Sequence, residues 1–436
     1  MANVLITSRC NLRCEYCFAQ ARLQDRRNQV MAMEDVRKVI AFLKKSDHPN
    51  FRAMGGEPTM HPDFPEIVET TLQEGLHLDV LSNATWPETC NRLFNRISPD
   101  NLSFLLNIDH PTNYQSPVWK NIQRNLAAIA PLRSITLSFN IFETRPRYEY
   151  IFDLVKTYHI DKIRLSLSLP VIGARNAHLP FEDLKRMGPI VVEFARQAAD
   201  LGAKVSLDNA APLCMFSYEQ AGELLLRGVL DLTRNARCEP IVDIGPDLTV
   251  WCCFCLSMLW NRRLSDFECL QEIVEYYKGI MGSYQDKLYP LDECDRCPYR
   301  KEWGCQGGCL SYTILKHGDA VPFEAAADAS PDEWRPSDIL ALHPEAEVCS
   351  YDIPDLRSVV TRRSADIQMT LDRSFIPLLT FLDGAHSSQD VLNSFLDSGG
   401  DRRMRGPVEA FATKAMEDGA KKLLLGMLHR GLLTRR

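Results

Sequence analysis

Ser8-Arg9-Cys10-Asn11-Leu12-Arg13-Cys14-Glu15-Tyr16-Cys17-Phe18 decides how this chain is read. Its cysteines stand as Cys-x3-Cys-x2-Cys, directly after an apolar run, Val4-Leu5-Ile6-Thr7, that reads as a strand. Three thiolates on one short loop can grip three corners of a cubane. A [4Fe–4S] cluster normally takes four cysteines, so one iron would keep a position that a small molecule can chelate. Zinc is the alternative. It takes four ligands, commonly from paired knuckles, and the next cysteine here is Cys90.

The alternation around this loop sets the fold class. Strand-like runs at 51–54, 78–81, 102–106, 135–139 and 162–167 alternate with helix-like stretches at 33–45, 64–74, 87–95, 118–130, 148–158 and 181–200. Six β-then-α units predict a parallel sheet with helices outside. Function in such sheets collects at the strand C-terminal ends. The three cysteines, Gly55-Gly56-Glu57-Pro58, Ser82-Asn83, Asn107, Asp109 and Asn140 all fall there. Paired glycines let a backbone approach a ligand closely, and Glu57 can accept a hydrogen bond from an ammonium group.

These motifs resemble the radical S-adenosylmethionine (radical SAM) superfamily, which uses Cys-x3-Cys-x-aromatic-Cys, with Tyr16 as the aromatic, and a Gly-Gly-Glu-Pro motif. The resemblance implies an α/β fold with a partial (βα)6 barrel over residues 1–205. It implies a [4Fe–4S] cluster on Cys10, Cys14 and Cys17 that binds SAM through its open iron. An electron then cleaves SAM to methionine and a 5′-deoxyadenosyl radical, which abstracts a substrate hydrogen. SAM contacts fall by resemblance on Tyr16, Phe18, Gly55, Gly56, Glu57, Pro58, Ser82 and Asn83. Asn107, Asp109 and Asn140 would reach its ribose or carboxylate. The other reading of these three is polar capping of strand ends. Arg164 and Ser166 alternate on the last strand, facing the barrel interior or satisfied as structural polar residues.

Composition sets outer limits. The 436 residues are 45% hydrophobic and 25% charged, with a formal charge of −7, which argues against a general nucleic-acid binder. No apolar run reaches the length of a membrane span, and the first residues lack a signal peptide's pattern, so a cytoplasmic protein is expected. The 15 cysteines suit reduced metal ligation better than disulfides in that compartment.

A second cysteine field begins beyond residue 205. Cys294-Asp295-Arg296-Cys297 precedes Cys305-Gln306-Gly307-Gly308-Cys309, with Cys238 upstream, Cys349 downstream and Trp251-Cys252-Cys253-Phe254-Cys255 between. A zinc ribbon is one reading. The field resembles a SPASM domain, here residues 206–358, which carries auxiliary iron–sulfur clusters. It departs from that pattern twice. Seven residues, not five, separate Cys297 from Cys305, and Leu248 stands where glycine is usual. The resemblance gives one auxiliary cluster Cys238, Cys253 and Cys309, and the other Cys294, Cys297, Cys305 and Cys349. The first set needs a fourth ligand, Cys252 or Cys255, or stays open to substrate. Cys90, Cys214 and Cys269 fit no pattern and read as apolar core residues.

Residues 325–336 read as a polar surface loop. The last segment, 359–436, reads as helical, with Ser387-Ser388-Gln389-Asp390 capping a helix near 391–396 and an amphipathic helix over 421–433. It resembles a small winged-helix module of the peptide-recognition kind found on peptide-modifying radical enzymes. Winged helices also bind DNA or simply pack against an enzyme.

The reading is therefore a radical SAM/SPASM oxidoreductase with three [4Fe–4S] clusters. It is fed by an external donor such as flavodoxin or ferredoxin. Its expected work is oxidative modification of a ribosomally made precursor peptide by cross-link, thioether or dehydrogenation (RiPP maturation). A small-molecule substrate is the alternative. A reading of another class is a non-catalytic iron–sulfur carrier or redox regulator, which would need no Gly55–Pro58 motif. No acid or base is legible.

Overall fold

The computed structural model describes residues 2–19, 22–23, 29–132, 134–285 and 288–317. Beyond these it describes 339–342, 346–350, 358–362, 367–371, 383–387, 389–391, 393, 424 and 433–435. The chain forms two compact units: Met1–Met258 with Arg262–Lys316, and Leu259–Asn261 with His317–Arg436.

The first unit opens with the expected alternation: β1 (Ala2–Thr7), α1 (Met33–Lys45), β2 (Asn50–Gly55), α2 (Phe64–Gln73), β3 (His77–Ser82), α3 (Glu88–Phe94), β4 (Leu102–Asn107), α4 (Ser116–Ile129), β5 (Ser134–Ile141), α5 (Glu149–Tyr158) and β6 (Lys162–Leu167). In α1, Val36, Val39, Ile40 and Leu43 are all buried, the spacing that turns one stripe of a helix onto a sheet. Glu34 and Asp35 in its first turn and Lys44 and Lys45 in its last complement the helix dipole. β1 to β6 pair in sequence order and in parallel, so their C-terminal ends form one edge. This is the partial α/β barrel that the sequence implies.

The sheet does not stop at β6. β7 (Lys204–Leu207) adds in parallel beyond it, so a boundary after residue 205 falls inside a strand. On the other flank β8 (Val242–Ile244) pairs in parallel with β1, followed by antiparallel β9 (Thr249–Cys252) and β10 (Arg262–Arg263). The order is β10-β9-β8-β1-β2-β3-β4-β5-β6-β7. Hence the start of the cysteine-rich segment is built onto the barrel's own sheet. Arg52 of β2 feels the charges of Arg164 on β6 and of Asp208 and Asp243. Groups on strands so far apart in order interact because the sheet curls.

The expected helix over 181–200 is broken. A single turn at Phe181–Leu184 is followed by α6 (Gly188–Asp200), with proline in the first turn of α6. Pro189 can start a helix but not continue one. After α7 (Tyr218–Leu226) and a single helical turn at Leu232–Asn235, three longer helices follow among the described residues: α8 (Leu270–Gln285), α9 (Pro298–Trp303) and α10 (Leu310–Lys316). Among the described residues no helix is long and apolar enough to cross a membrane.

The second unit carries two antiparallel three-stranded sheets. One joins β11 (Ile339–Leu342) to β15 (Asp383–Ser387) and β16 (Leu433–Arg435). The other is β12 (Ala346–Ser350), β13 (Ser358–Arg362) and β14 (Ile367–Leu371). The segment is thus more β-rich than expected. The boundary at 358/359 falls inside β13, and the helix expected to reach Leu433 has ended before it, because Leu433 pairs with Leu342. Val391 and Leu424, inside the two expected helices, are helical. The 325–336 loop lies outside the described residues.

Candidate functional site

The cysteine loop leaves β1 and is held over the end of β2 by backbone hydrogen bonds. Gly56 N–H donates to Thr7 O (2.9 Å) and Glu57 N–H to Arg9 O (2.7 Å). The glycines make this approach possible. A Cβ on Gly55 would lie 2.4 Å from Thr7 O, and one on Gly56 would lie 2.3 Å from Arg9 O and 2.7 Å from Cys10 Cβ. The paired glycines therefore seat the cysteine loop itself.

Asn11, between the first two cysteines, fixes the loop laterally. Its amide donates to Thr85 Oγ1 (2.8 Å), and its carbonyl accepts from Asn83 Nδ2 (3.0 Å). Neither Asn11 nor Thr85 carries a motif signal, and the sequence reading missed both. Behind them, Glu57 is completely buried. Its carboxylate accepts from Thr59 Oγ1 (2.7 Å), from Ser82 Oγ (2.8 and 2.9 Å) and from Asn83 N–H (2.9 Å). Burial pushes this carboxyl up, while those hydrogen bonds pull it down. Glu57 thus latches β2 to β3, and Pro58 starts the short turn that follows.

Cys10, Cys14 and Cys17 line a cavity of about 890 Å³, with Gly55, Gly56, Ser82, Asn83 and Asn107 on its other walls. None of the three is in a disulfide, and each is partly buried. Burial pushes the Cys10 thiol up, and a hydrogen bond from Leu12 N–H to Cys10 Sγ (3.5 Å) opposes this. Cys14 is raised by burial and by the neighbouring Asp109 carboxylate. Phe18 also lines the cavity and packs on Phe254, ring centroids 4.9 Å apart. Arg164 reaches this cavity too, held by Ser138 Oγ (3.1 Å) and Asp208 (3.4 Å). Ser166 instead donates to Asn209 (2.6 Å).

Asp109 sits behind the loop. It accepts from Tyr16 Oη (2.5 Å), and its N–H donates to Tyr114 Oη (2.7 Å). It lines two neighbouring recesses, the smaller of which includes Asn140. Asn140 in turn donates to Asn107 (3.3 Å). The structure therefore brings Asn107 to the cavity directly and links Asn140 to it at one remove. It turns Asp109 and the Tyr16 hydroxyl toward one another.

The second cysteine field separates into two groups. Cys309 is hydrogen-bonded to Cys238 and to Cys255, and Cys255 also to Cys253. Hydrogen bonds from Cys252 and Cys255 bring Cys253 down to about 5. Cys252, though bonded to Cys253, directs its thiol at Met281 Sδ (3.3 Å). Leu248 takes φ +62°, a left-handed conformation that favours glycine, which explains why glycine is usual there. The other group is Cys294, Cys297 and Cys305. The side chain of Cys349 lies outside the described residues. Cys90 is buried as expected, whereas Cys214 and Cys269 are not fully buried. Among the described residues no three His, Cys, Asp or Glu side chains converge as on a single ion. Each iron of a cubane takes its own thiolate, so its ligands spread more widely.

Residues 4–138 match the family described as the radical SAM superfamily. Over 96 residues the chain is 32% identical to 7,8-dihydro-6-hydroxymethylpterin dimethyltransferase of Methanocaldococcus jannaschii, covering 21% of this chain and 19% of that protein. Over 80 residues it is 34% identical to Fe-coproporphyrin III synthase of Methanosarcina barkeri, covering 18% and 20%. The matched segments thus span about a fifth of these relatives' length. Among solved structures, Streptococcus suis SuiB bound to precursor peptide SuiA superposes with TM-score 0.52 at 14% identity, covering 72% of each chain. SuiB bound to S-adenosylmethionine gives 0.51 at 14%, covering 72% and 73%. At this identity the likeness is one of fold.

Proposed function

We propose, on the premise that this chain is a radical SAM superfamily protein, that it uses SAM to begin an oxidative modification of a ribosomally synthesised peptide. The observation that carries the reading is the meeting of Cys10, Cys14 and Cys17 with Gly55-Gly56 and Ser82-Asn83 on one cavity at the strand C-terminal ends. The residues fit the implied group. Three soft thiol donors share one loop, and the cavity falls within the usual size range for ligand sites. Polar groups on Ser8, Asn83 and Asn107 and apolar ones on Leu12, Phe18 and Leu105 suit a molecule with both charged and flat apolar parts.

When bound, cluster and SAM together supply one-electron sulfonium cleavage and a 5′-deoxyadenosyl radical for hydrogen abstraction. The chain's part is positional. Gly55 and Gly56 seat the loop, Asn11 and Asn83 fix its lateral position, and Glu57 locks the two strand ends beneath it. Arg164 presents a cation to the cavity.

The auxiliary clusters belong to the same proposal. Cys238, Cys253, Cys255 and Cys309 make one four-thiolate set, because Cys255 contacts both Cys253 and Cys309 while Cys252 turns toward Met281. The other draws on Cys294, Cys297, Cys305 and one further thiolate. Clusters held by these thiolates would supply an acceptor for the electron that a substrate radical gives up as it becomes oxidised product. An external donor such as flavodoxin or ferredoxin supplies the first one, and the reaction runs in the cytoplasm.

The fold of SuiB, solved with a precursor peptide, favours a peptide substrate. The named relatives that act on small molecules, such as the pterin methyltransferase, favour the alternative. Anaerobically reconstituted protein with SAM, reductant and candidate precursor peptides, taken from short reading frames near its gene, decides between them. Loss of two hydrogens from the peptide, matched by 5′-deoxyadenosine, is expected. Unchanged peptide, with turnover only on added small metabolites, contradicts the peptide assignment.

A further inference from the structure

Cys214 belongs to no motif, and the sequence places it in the core. Its neighbours Leu213, Met215 and Phe216 are buried, but Cys214 is only partly so. The segment 211–216 turns this one thiol out of the apolar interior, and its backbone is pinned against the Cys305–Cys309 loop. Gly308 has φ +81°, and a Cβ there would lie 2.9 Å from Pro212 Cδ and 3.4 Å from the Ala211 carbonyl carbon. Tyr299 Oη donates to Phe216 O (2.6 Å), fixing the far end of the segment on α9. Between these anchors, Leu213 N–H donates to the Cys305 sulfur, as do the N–H groups of Gly307 (3.4 Å) and Gly308.

Cys214 follows Leu213 directly. The sulfurs of Cys305, Cys297 and Cys294 all lie within electrostatic reach of its own. Cys294 and Cys297 likewise feel each other and Cys305. Four thiols from three separate segments thus lie in one neighbourhood: the 211–216 turn, the Cys294–Cys297 turn and the loop after α9.

We propose that Cys214 is the fourth protein ligand of the second auxiliary [4Fe–4S] cluster, joining Cys294, Cys297 and Cys305 in place of Cys349. The first unit then holds all its cluster ligands without drawing on residues beyond 316. The assignment rests on the auxiliary-cluster reading above, and its test separates the two.

The test uses full-length protein carrying Cys10→Ala, Cys14→Ala and Cys17→Ala, which leaves about eight irons from two auxiliary clusters. Iron, sulfide and EPR spectra are read for Cys214→Ala, Cys349→Ala and Cys294→Ala in that background. The proposal expects Cys214→Ala to lose one to about four irons, with a three-iron EPR signal in the first case. It expects Cys349→Ala to keep both count and spectrum. An unchanged Cys214→Ala overturns it, the more so if Cys349→Ala loses iron. An unchanged Cys294→Ala would mean that the auxiliary cluster itself is absent, a failure of the broader reading. Should Cys214→Ala fold poorly, Cys214→Ser decides. A serinate ligand keeps iron but shifts the EPR signal, and a wild-type spectrum overturns the assignment.

Discussion

Gly56→Ala is a small change with a large expected effect. The new Cβ would lie 2.3 Å from Arg9 O, 2.6 Å from the Arg9 carbonyl carbon and 2.7 Å from Cys10 Cβ, none of them the far end of a flexible side chain. Ordinary contact begins near 3.4 Å, so the loop must lift by about 1 Å against close-packed surroundings. The lift strains two hydrogen bonds, Gly56 N–H to Thr7 O and Glu57 N–H to Arg9 O. Overpacking of this kind costs about 1–3 kcal/mol, and each lost hydrogen bond adds about 1 kcal/mol. The displaced atoms carry Cys10, so the cost falls on the cluster site as well as on stability. Reconstituted Gly56→Ala should hold about four fewer irons per chain than wild type, with its auxiliary iron retained. Formation of 5′-deoxyadenosine should fall roughly tenfold or more, since about 1.4 kcal/mol is a factor of ten. Gly222→Ala is the control. It lies in α7 with nothing within 4 Å of its would-be Cβ, and should stabilise the protein by up to about 1 kcal/mol. Wild-type iron and turnover in Gly56→Ala would refute the packing argument.

Three further perturbations follow from the same geometry. Cys255→Ala should lose iron from the first auxiliary set while Cys252→Ala keeps it, read by iron count and EPR; the reverse result reassigns the ligand. Asn11→Ala removes the ties to Asn83 and Thr85. It should lower the melting temperature by the equivalent of about 1–2 kcal/mol and slow SAM cleavage, while Arg124→Ala at an exposed site should do neither. His61 is buried, with Nε2 donating to Met31 O (2.9 Å) and Nδ1 accepting from Asp63 N–H (3.0 Å), so the neutral ring fits and a second ring proton does not. Burial holds its pKa below the ordinary value. The unfolded chain then binds the proton more readily. Stability is complete above the ordinary histidine range and falls as pH drops through it. Melting curves should show wild type losing more stability than His61→Gln between neutral and mildly acidic pH. Equal losses would remove His61 from the account.

Much of this was legible because the chemistry is local. Cys10, Cys14 and Cys17 occupy a single loop, and the alternation through Leu167 fixes the strand order that brings Gly55, Ser82 and Asn107 to the same edge. What escaped depended on contacts between distant segments. Asn11 meets Thr85 only after β1 and β3 are placed two strands apart. Glu57 looks like a ligand in isolation, yet Ser82 and Thr59 close around it. β8 joins β1 across 240 residues of separation, a pairing that no local pattern announces. Cys214 likewise carries no spacing signal and is found beside Cys305 only through the packing of Pro212 on Gly308. The break before α6 was written in the sequence, as Gly188-Pro189, and needed only the rule that proline cannot sit inside a helix.

The central claim is that the Cys10–Cys17 loop holds a cluster that cleaves SAM. The most direct measurement adds SAM and a reductant to anaerobically reconstituted protein, and counts iron, sulfide and 5′-deoxyadenosine per chain. The account predicts about twelve irons and 5′-deoxyadenosine that disappears in Cys14→Ala, with the auxiliary iron retained. Zinc in place of iron, or full iron loading with no 5′-deoxyadenosine from the wild-type protein, would contradict it.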